Sequence, residues 1–138
     1  MSGDININPG PPASTSFNFA NLNIRSCASI TAELNKPAVL QEFLLDHSID
    51  ILFLSETWLT TDSLTSTLNS LTPPNYSLIH CPRLDRRGGG LAVIYRSHLK
   101  IKKLSIPLFT SFESLCVQLT LSSSSYTFLN IYRPPLLS

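Results

Sequence analysis

Charge is scarce in this chain. Lys, Arg, Asp and Glu make up 14% of its 138 residues, against roughly 25% in ordinary soluble domains, so Ser, Thr and Asn must supply much of the polar surface, and solubility is a concern. The net charge of +1 produces no field of one sign; an anionic partner would have to be met by a local basic cluster. Long apolar runs are missing as well. None approaches the ~20 residues that span a bilayer, and the N-terminus lacks the basic-then-apolar order of a signal peptide. Cysteine is limited to Cys27, Cys81 and Cys116, an odd number without the paired spacing of a zinc site, which points to reduced thiols in a soluble intracellular protein. What is present is apolar bulk: 43% hydrophobic residues in 15.2 kDa suffice for one domain with a sizeable core.

Residues 1–16 hold Gly3, Pro9, Gly10, Pro11 and Pro12 among Ser, Thr and Asn, a composition that disfavours regular structure and reads as a leader. Alternation over Phe17–Ile24 predicts a strand with Asn23 near its end. Asn35 can cap a helix with Pro37 in its first turn and Leu40, Phe43 and Leu44 at helical spacing, ending near His47. Asp50–Glu56 is an unbroken apolar strand, which suggests burial on both faces. Asp62 can cap a short helix carrying Leu64, Leu68 and Leu71, stopped by Pro73-Pro74. Strands follow at Tyr76–His80, Gly90–Arg96, Leu99–Leu104, Phe112–Leu121 and Tyr126–Tyr132, with Ser122–Ser125 as a hairpin loop. One strand-helix unit followed by a meander gives an α/β (α+β) class around a mixed sheet.

The apolar strand ends abruptly in Glu56, and a carboxylate at that position suits a hard cation such as Mg²⁺, which takes oxygen ligands and few protein carboxylates. The same residue could equally leave the core to meet solvent or an arginine, and Trp58 could shelter the site or belong to the core. Asn23 could orient a metal-bound water or phosphate oxygen through its amide, or serve only as a turn residue. If its strand lies beside Asp50–Glu56 through a helical crossover, both carboxyl ends share one rim, where sites gather. Arg83, Arg86 and Arg87 precede Gly88-Gly89-Gly90, a basic loop able to approach phosphates or merely a solvated turn; no Walker-type spacing accompanies it. Tyr132, followed by Arg133, could donate its hydroxyl to a phosphate or leaving oxygen, or simply pack. His47, His80 and His98 share no spacing.

Four segments in order carry a resemblance: Asn21-Leu22-Asn23-Ile24-Arg25-Ser26, Leu52-Phe53-Leu54-Ser55-Glu56-Thr57-Trp58-Leu59, Arg87-Gly88-Gly89-Gly90-Leu91-Ala92-Val93-Ile94-Tyr95-Arg96 and Asn130-Ile131-Tyr132-Arg133-Pro134-Pro135. Together they resemble the first motifs of the endonuclease/exonuclease/phosphatase superfamily, and more narrowly the apurinic-endonuclease-like domain of non-LTR retrotransposons. The resemblance covers residues 17–135. It implies the N-terminal part of a four-layer αββα sandwich with mixed sheets that binds Mg²⁺ and nicks DNA by phosphodiester hydrolysis. Glu56 would be the metal ligand, Asn23 the strand-end asparagine near the scissile phosphate and Tyr132 the phosphate-contacting tyrosine. Arg83, Arg86, Arg87 and Arg133 would face nucleic acid, and a DNA partner implies the nucleus within the cell.

Members of that family continue with Gly-Asp-x-Asn and Ser-Asp-His motifs, the latter carrying the water-activating aspartate and histidine. Neither follows Tyr132 here, so residues 17–138 read as about half a domain, expected to be inactive as it stands because general-base catalysis alone is worth roughly 10²–10⁴-fold. In the leader, Asp4-Ile5-Asn6-Ile7-Asn8-Pro9-Gly10-Pro11 resembles the end of ribosome-skipping peptides, with Asn6 in place of their glutamate. The alternatives are a non-catalytic module that keeps the sheet and basic loop to bind nucleic acid or protein, and a reading frame without a selected role.

Overall fold

A computed structural model describes residues 16–135; the ribosome-skipping-like motif lies outside them. Strand β1 (Phe19–Asn23) leads through helix α1 (Lys36–Asp46) into β2 (Ile51–Ser55), and a short helix α2 (Thr65–Ser70) precedes β3 (Tyr76–Cys81), β4 (Leu91–Arg96), β5 (Lys100–Leu104), β6 (Glu113–Leu121) and β7 (Ser124–Tyr132). The α1 start follows its sequence signal: the Asn35 side chain accepts from the Ala38 N–H at 3.1 Å, and Pro37 sits in the first turn, where an N–H has no helical partner to lose.

The strands form two sheets, ordered β1-β2-β4-β3 and β5-β6-β7. β1 and β2 are parallel, with Asn23 opposite Ser55, whereas β4 runs antiparallel to β2 with Leu91 opposite the same Ser55. Every residue of β2 is buried, and the pleat explains how an uninterrupted apolar run is used. Leu52 and Leu54 join Leu40 and Leu44 of α1 on one face, while Ile51 and Phe53 join Leu115, Val117 and Leu119 of β6 on the other. β2 is therefore sandwiched between a helix and a second sheet. This α-β-β layering is the expected α/β arrangement with mixed pairing.

Two local expectations are corrected. Asp62 does not cap α2: its N–H bonds the Thr60 hydroxyl, the Ser63 hydroxyl accepts from Thr60 N–H at 2.9 Å, and the helix begins later, after Leu64, without a side-chain cap. The hydroxyls of Thr60 and Ser63 close a turn on the local backbone around Asp62, the competing use of short polar side chains. The Ser122–Ser125 loop is shorter than its composition suggests, because Ser124 and Ser125 already pair with Leu121 and Thr120. Only Ser122 and Ser123 make the reversal, Ser122 with φ +46°. Among the described residues no helix is long and apolar enough to cross a membrane.

Candidate active site

Asn23, Glu56 and the start of β4 meet at one rim because the parallel pair β1-β2 ends there while antiparallel β4 begins there. Beyond Ser55 the chain keeps bonding on both sides. Ser26 and Cys27 N–H donate to the carbonyls of Glu56 and Thr57, and Thr57 and Trp58 N–H donate to those of Gly90 and Gly89. The segment Glu56–Trp58 is thus tied between the loop after β1 and the triple glycine. Lys36 of α1 holds the first of these loops by donating to the carbonyls of Ile24 and Arg25.

The backbone here is strained. Four of the seven non-glycine residues with positive φ among the described residues lie on this rim: Arg25 (+46°), Ser26 (+70°), Glu56 (+54°) and Trp58 (+58°). Such conformations cost of order 1–3 kcal/mol each and persist where the surroundings impose them. Gly90 must also be glycine: its φ is +91°, and a Cβ would lie 2.7 Å from the Thr57 hydroxyl.

Tyr132, from the far end of the second sheet, donates its hydroxyl to Glu56 Oε1. Beneath it, Asn130 crosses to the first sheet, its Nδ2 donating to the Leu54 carbonyl at 3.2 Å. Asn23, at the end of β1 opposite Ser55, lies near enough to the Tyr132 hydroxyl to influence its titration. Desolvation pushes the Tyr132 phenol above its ordinary pKa, aided by its hydrogen bond to Glu56 and by the Glu56 and Glu113 charges, against the Asn23 contact, which favours the phenolate. The phenol is consequently a proton-bearing donor at neutral pH. The structure brings Asn23, Glu56 and Tyr132 together.

The arginines divide. Arg83 is taken up by an ion pair with Glu113, and both side chains are largely buried, 11% and 18% exposed. Its Nη1 also donates to the Arg87 carbonyl at 3.3 Å. It braces the loop rather than facing outward. Arg86, Arg87 and Arg133 are exposed, with no carboxylate partner among the described residues. Trp58 is 48% exposed, which removes it from the core.

Glu113 was not singled out by sequence. Its Oε1 accepts from Gly90 N–H at 2.8 Å while Oε2 takes Arg83, so one carboxylate fixes the glycine strand and neutralises the nearest arginine. An acidic residue opening an apolar strand, opposite Tyr132 in the ladder, was the available signal. Buried Thr57 was also overlooked. Of the histidines, His47 ends α1 against Phe43, with ring centroids 5.0 Å apart, His80 lies in β3 opposite Ala92 of β4, and His98 falls between β4 and β5.

Among the described residues no three or more His, Cys, Asp or Glu side chains are grouped to hold a metal. The rim donors, the Glu56 carboxylate with the Asn23 amide, are hard oxygen ligands. They suit a cation that keeps most of its waters, and Mg²⁺ fits that description. A transition metal wanting several imidazoles or thiolates does not fit.

The fold has counterparts among known structures. An AP endonuclease, LMAP, from Leishmania major superposes with a TM-score of 0.63 at 18% identity, over 84% of this chain and 40% of that one. A 3′ phosphatase, NExo, from Neisseria, solved with a product DNA hairpin, aligns with a TM-score of 0.49 at 17% identity, over 81% of this chain and 40% of that one. The chain thus spans about 40% of the length of either protein. No curated protein sequence matches it significantly. The first superposition shows the shared fold. The sequence profile of the Endonuclease/Exonuclease/phosphatase family matches residues 20–135, which takes in the rim residues of β1, β2, the glycine strand and β7 alike. The chain belongs to the Endonuclease/Exonuclease/phosphatase family.

Proposed function

We propose that this chain is the N-terminal half of a Mg²⁺-dependent DNA endonuclease domain of retrotransposon type, carrying the phosphate- and metal-holding side of the site. The observation that carries the reading is the convergence of Asn23, Glu56 and Tyr132 on one strained rim. Glu56 would hold the cation with Asn23 beside it. Mg²⁺, when bound, supplies charge stabilisation at phosphate oxygens.

The chain's own groups orient the phosphate. The Tyr132 hydroxyl, kept protonated and held at the rim by Glu56, is placed to donate to a phosphate oxygen, and the Asn23 amide would donate alongside. Arg86, Arg87 and Arg133 draw the backbone of the DNA to the rim by charge. Proton removal from an attacking water needs a base, and no histidine among the described residues hydrogen-bonds to Glu56 or Tyr132. The reading therefore expects binding without turnover by the 138-residue chain. Exposed apolar side chains on the two edge strands, Phe19 and Leu22 on β1 with Leu129 and Ile131 on β7, support the view that further structure covers them.

The test is duplex-DNA binding with and without Mg²⁺, run beside a supercoiled-plasmid nicking assay. Expected are Mg²⁺-stimulated binding that Glu56→Gln loses, and no nicking above background. Nicking that requires Mg²⁺ and vanishes in Glu56→Gln would show that the chain is catalytic by itself. Absence of DNA binding at low salt would refute the reading.

A further inference from the structure

Beside the rim lies a cleft of about 620 Å³ whose aromatic lining the phosphate chemistry leaves unused. One wall is the loop after β3, with Leu84 and Arg86; the other is the segment before β6, with Phe109 and Phe112; Arg133 closes the end next to Tyr132. Phe109 and Phe112 stack with centroids 4.5 Å apart and planes 20° from parallel. Phe109 is nevertheless 45% exposed and Leu84 80% exposed. A stacked aromatic pair open to solvent wastes apolar surface unless something lies on it.

The charges identify the occupant. Arg83 and Glu113 in the cleft wall neutralise each other, leaving Arg86 and Arg133 against Asp85 alone, a net positive lining. An aromatic face flanked by free guanidinium groups is the composition that binds single-stranded nucleic acid, with bases stacking on rings and phosphates meeting arginines. The cleft is also joined to the proposed phosphate site: Glu113 lies opposite Tyr132 in the β6-β7 ladder and holds Gly90.

We propose that this cleft takes an unpaired base of a DNA strand whose backbone passes the Glu56 rim, with Phe109 as the stacking surface and Arg133 and Arg86 on the flanking phosphates. The substrate class is therefore DNA with a single-stranded or unpaired element next to the duplex. The proposal rests on the DNA-binding reading above and narrows it.

The experiment compares fluorescence anisotropy of the full chain with a blunt duplex and with the same duplex bearing a single-stranded tail. Stacking of one base predicts tighter binding of the tailed probe by roughly 5- to 150-fold. Phe109→Ala and Phe109→Leu should both bring the tailed probe to the affinity of the blunt one, whereas Phe109→Trp should keep the preference. Equal affinities, or a preference that Phe109→Leu retains, overturn the proposal while leaving the DNA-binding reading intact. Binding of neither probe overturns both. A labelled apolar peptide that binds the chain and is released by Phe109→Ala, with no tail preference, would mark the cleft as a protein groove and overturn the proposal.

Discussion

Replacing Gly90 by alanine tests whether the rim is built as tightly as its geometry indicates. Two penalties add. A non-glycine residue in left-handed backbone costs about 1–2 kcal/mol, and Gly90 has φ +91°. The new methyl would also stand 2.7 Å from the Thr57 hydroxyl, where ordinary contact begins at 3.4 Å. Thr57 is 1% exposed, and its hydroxyl accepts from Leu59 N–H at 3.3 Å, so it cannot swing away freely. Overpacking of this kind costs about 1–3 kcal/mol. The sum, about 2–5 kcal/mol, is a large share of the 5–15 kcal/mol typical of a domain. Urea unfolding followed by far-ultraviolet circular dichroism measures it. The double variant Gly90→Ala with Thr57→Ala isolates the steric part: with the hydroxyl gone, about 1–3 kcal/mol should return as a coupling energy, and the backbone part should remain. Additive single effects, or a Gly90→Ala chain within about 0.5 kcal/mol of the parent, would refute the reasoning.

Glu113 should matter for stability more than a surface acid. Glu113→Ala strands a largely buried Arg83 and leaves Gly90 N–H without its acceptor, an expected loss of about 2–4 kcal/mol, while Glu113→Gln, which can still accept from Gly90, should lose about half as much; equal unfolding midpoints for the two variants would contradict this. His80 should impose an acid limit on the fold. Burial, with a contribution from Lys103, holds its pKa below the ordinary 6.5, and its Nδ1 is buried without a partner. A pKa lowered by folding contributes stability that is present above pH 6.5 and is lost as pH falls through the folded value. The parent chain should therefore weaken more steeply than His80→Gln between about pH 7 and pH 5, and identical slopes in urea titrations would dismiss the effect.

Local patterns were legible where they had a single physical reading. The β2 run could only be a strand buried on both sides, and Asn35-Lys36-Pro37 could only open a helix. Position alone left Asn23, Glu56 and Tyr132 open between a site and a turn, solvent or packing role; the ordered motifs of the resemblance singled them out, and the fold brings the ends of their strands to one rim. Misreadings arose where short polar residues had two options. Asp62 served a turn, and serines expected in a loop were recruited into the β6-β7 ladder. Glu113 left only the faint signal of an acid opening an apolar strand, and the Phe109-Phe112 pair left none. Their meaning lies in partners such as Gly90 and Arg83, 23 and 30 residues distant from Glu113, and no local periodicity encodes such a pairing. The same contact divides the arginine cluster: Arg83 is internally neutralised, and Arg86 and Arg87 have no carboxylate partner among the described residues.

The two bonds joining the sheets at the rim, Asn130 to Leu54 and Tyr132 to Glu56, each close a loop of 76 residues. Loop closure of that length costs about 4 kcal/mol of chain entropy before any contact repays it. The β5-β6-β7 meander, by contrast, joins neighbours in sequence and can zip locally. Order of assembly follows from this difference: the meander can exist early, whereas the rim must wait until both ends of the chain are available. A ribosome-bound chain that has not yet released Tyr132 holds Glu56 with no phenol to meet it. The rim is thereby among the last parts of the fold to be completed, once synthesis has run past β7.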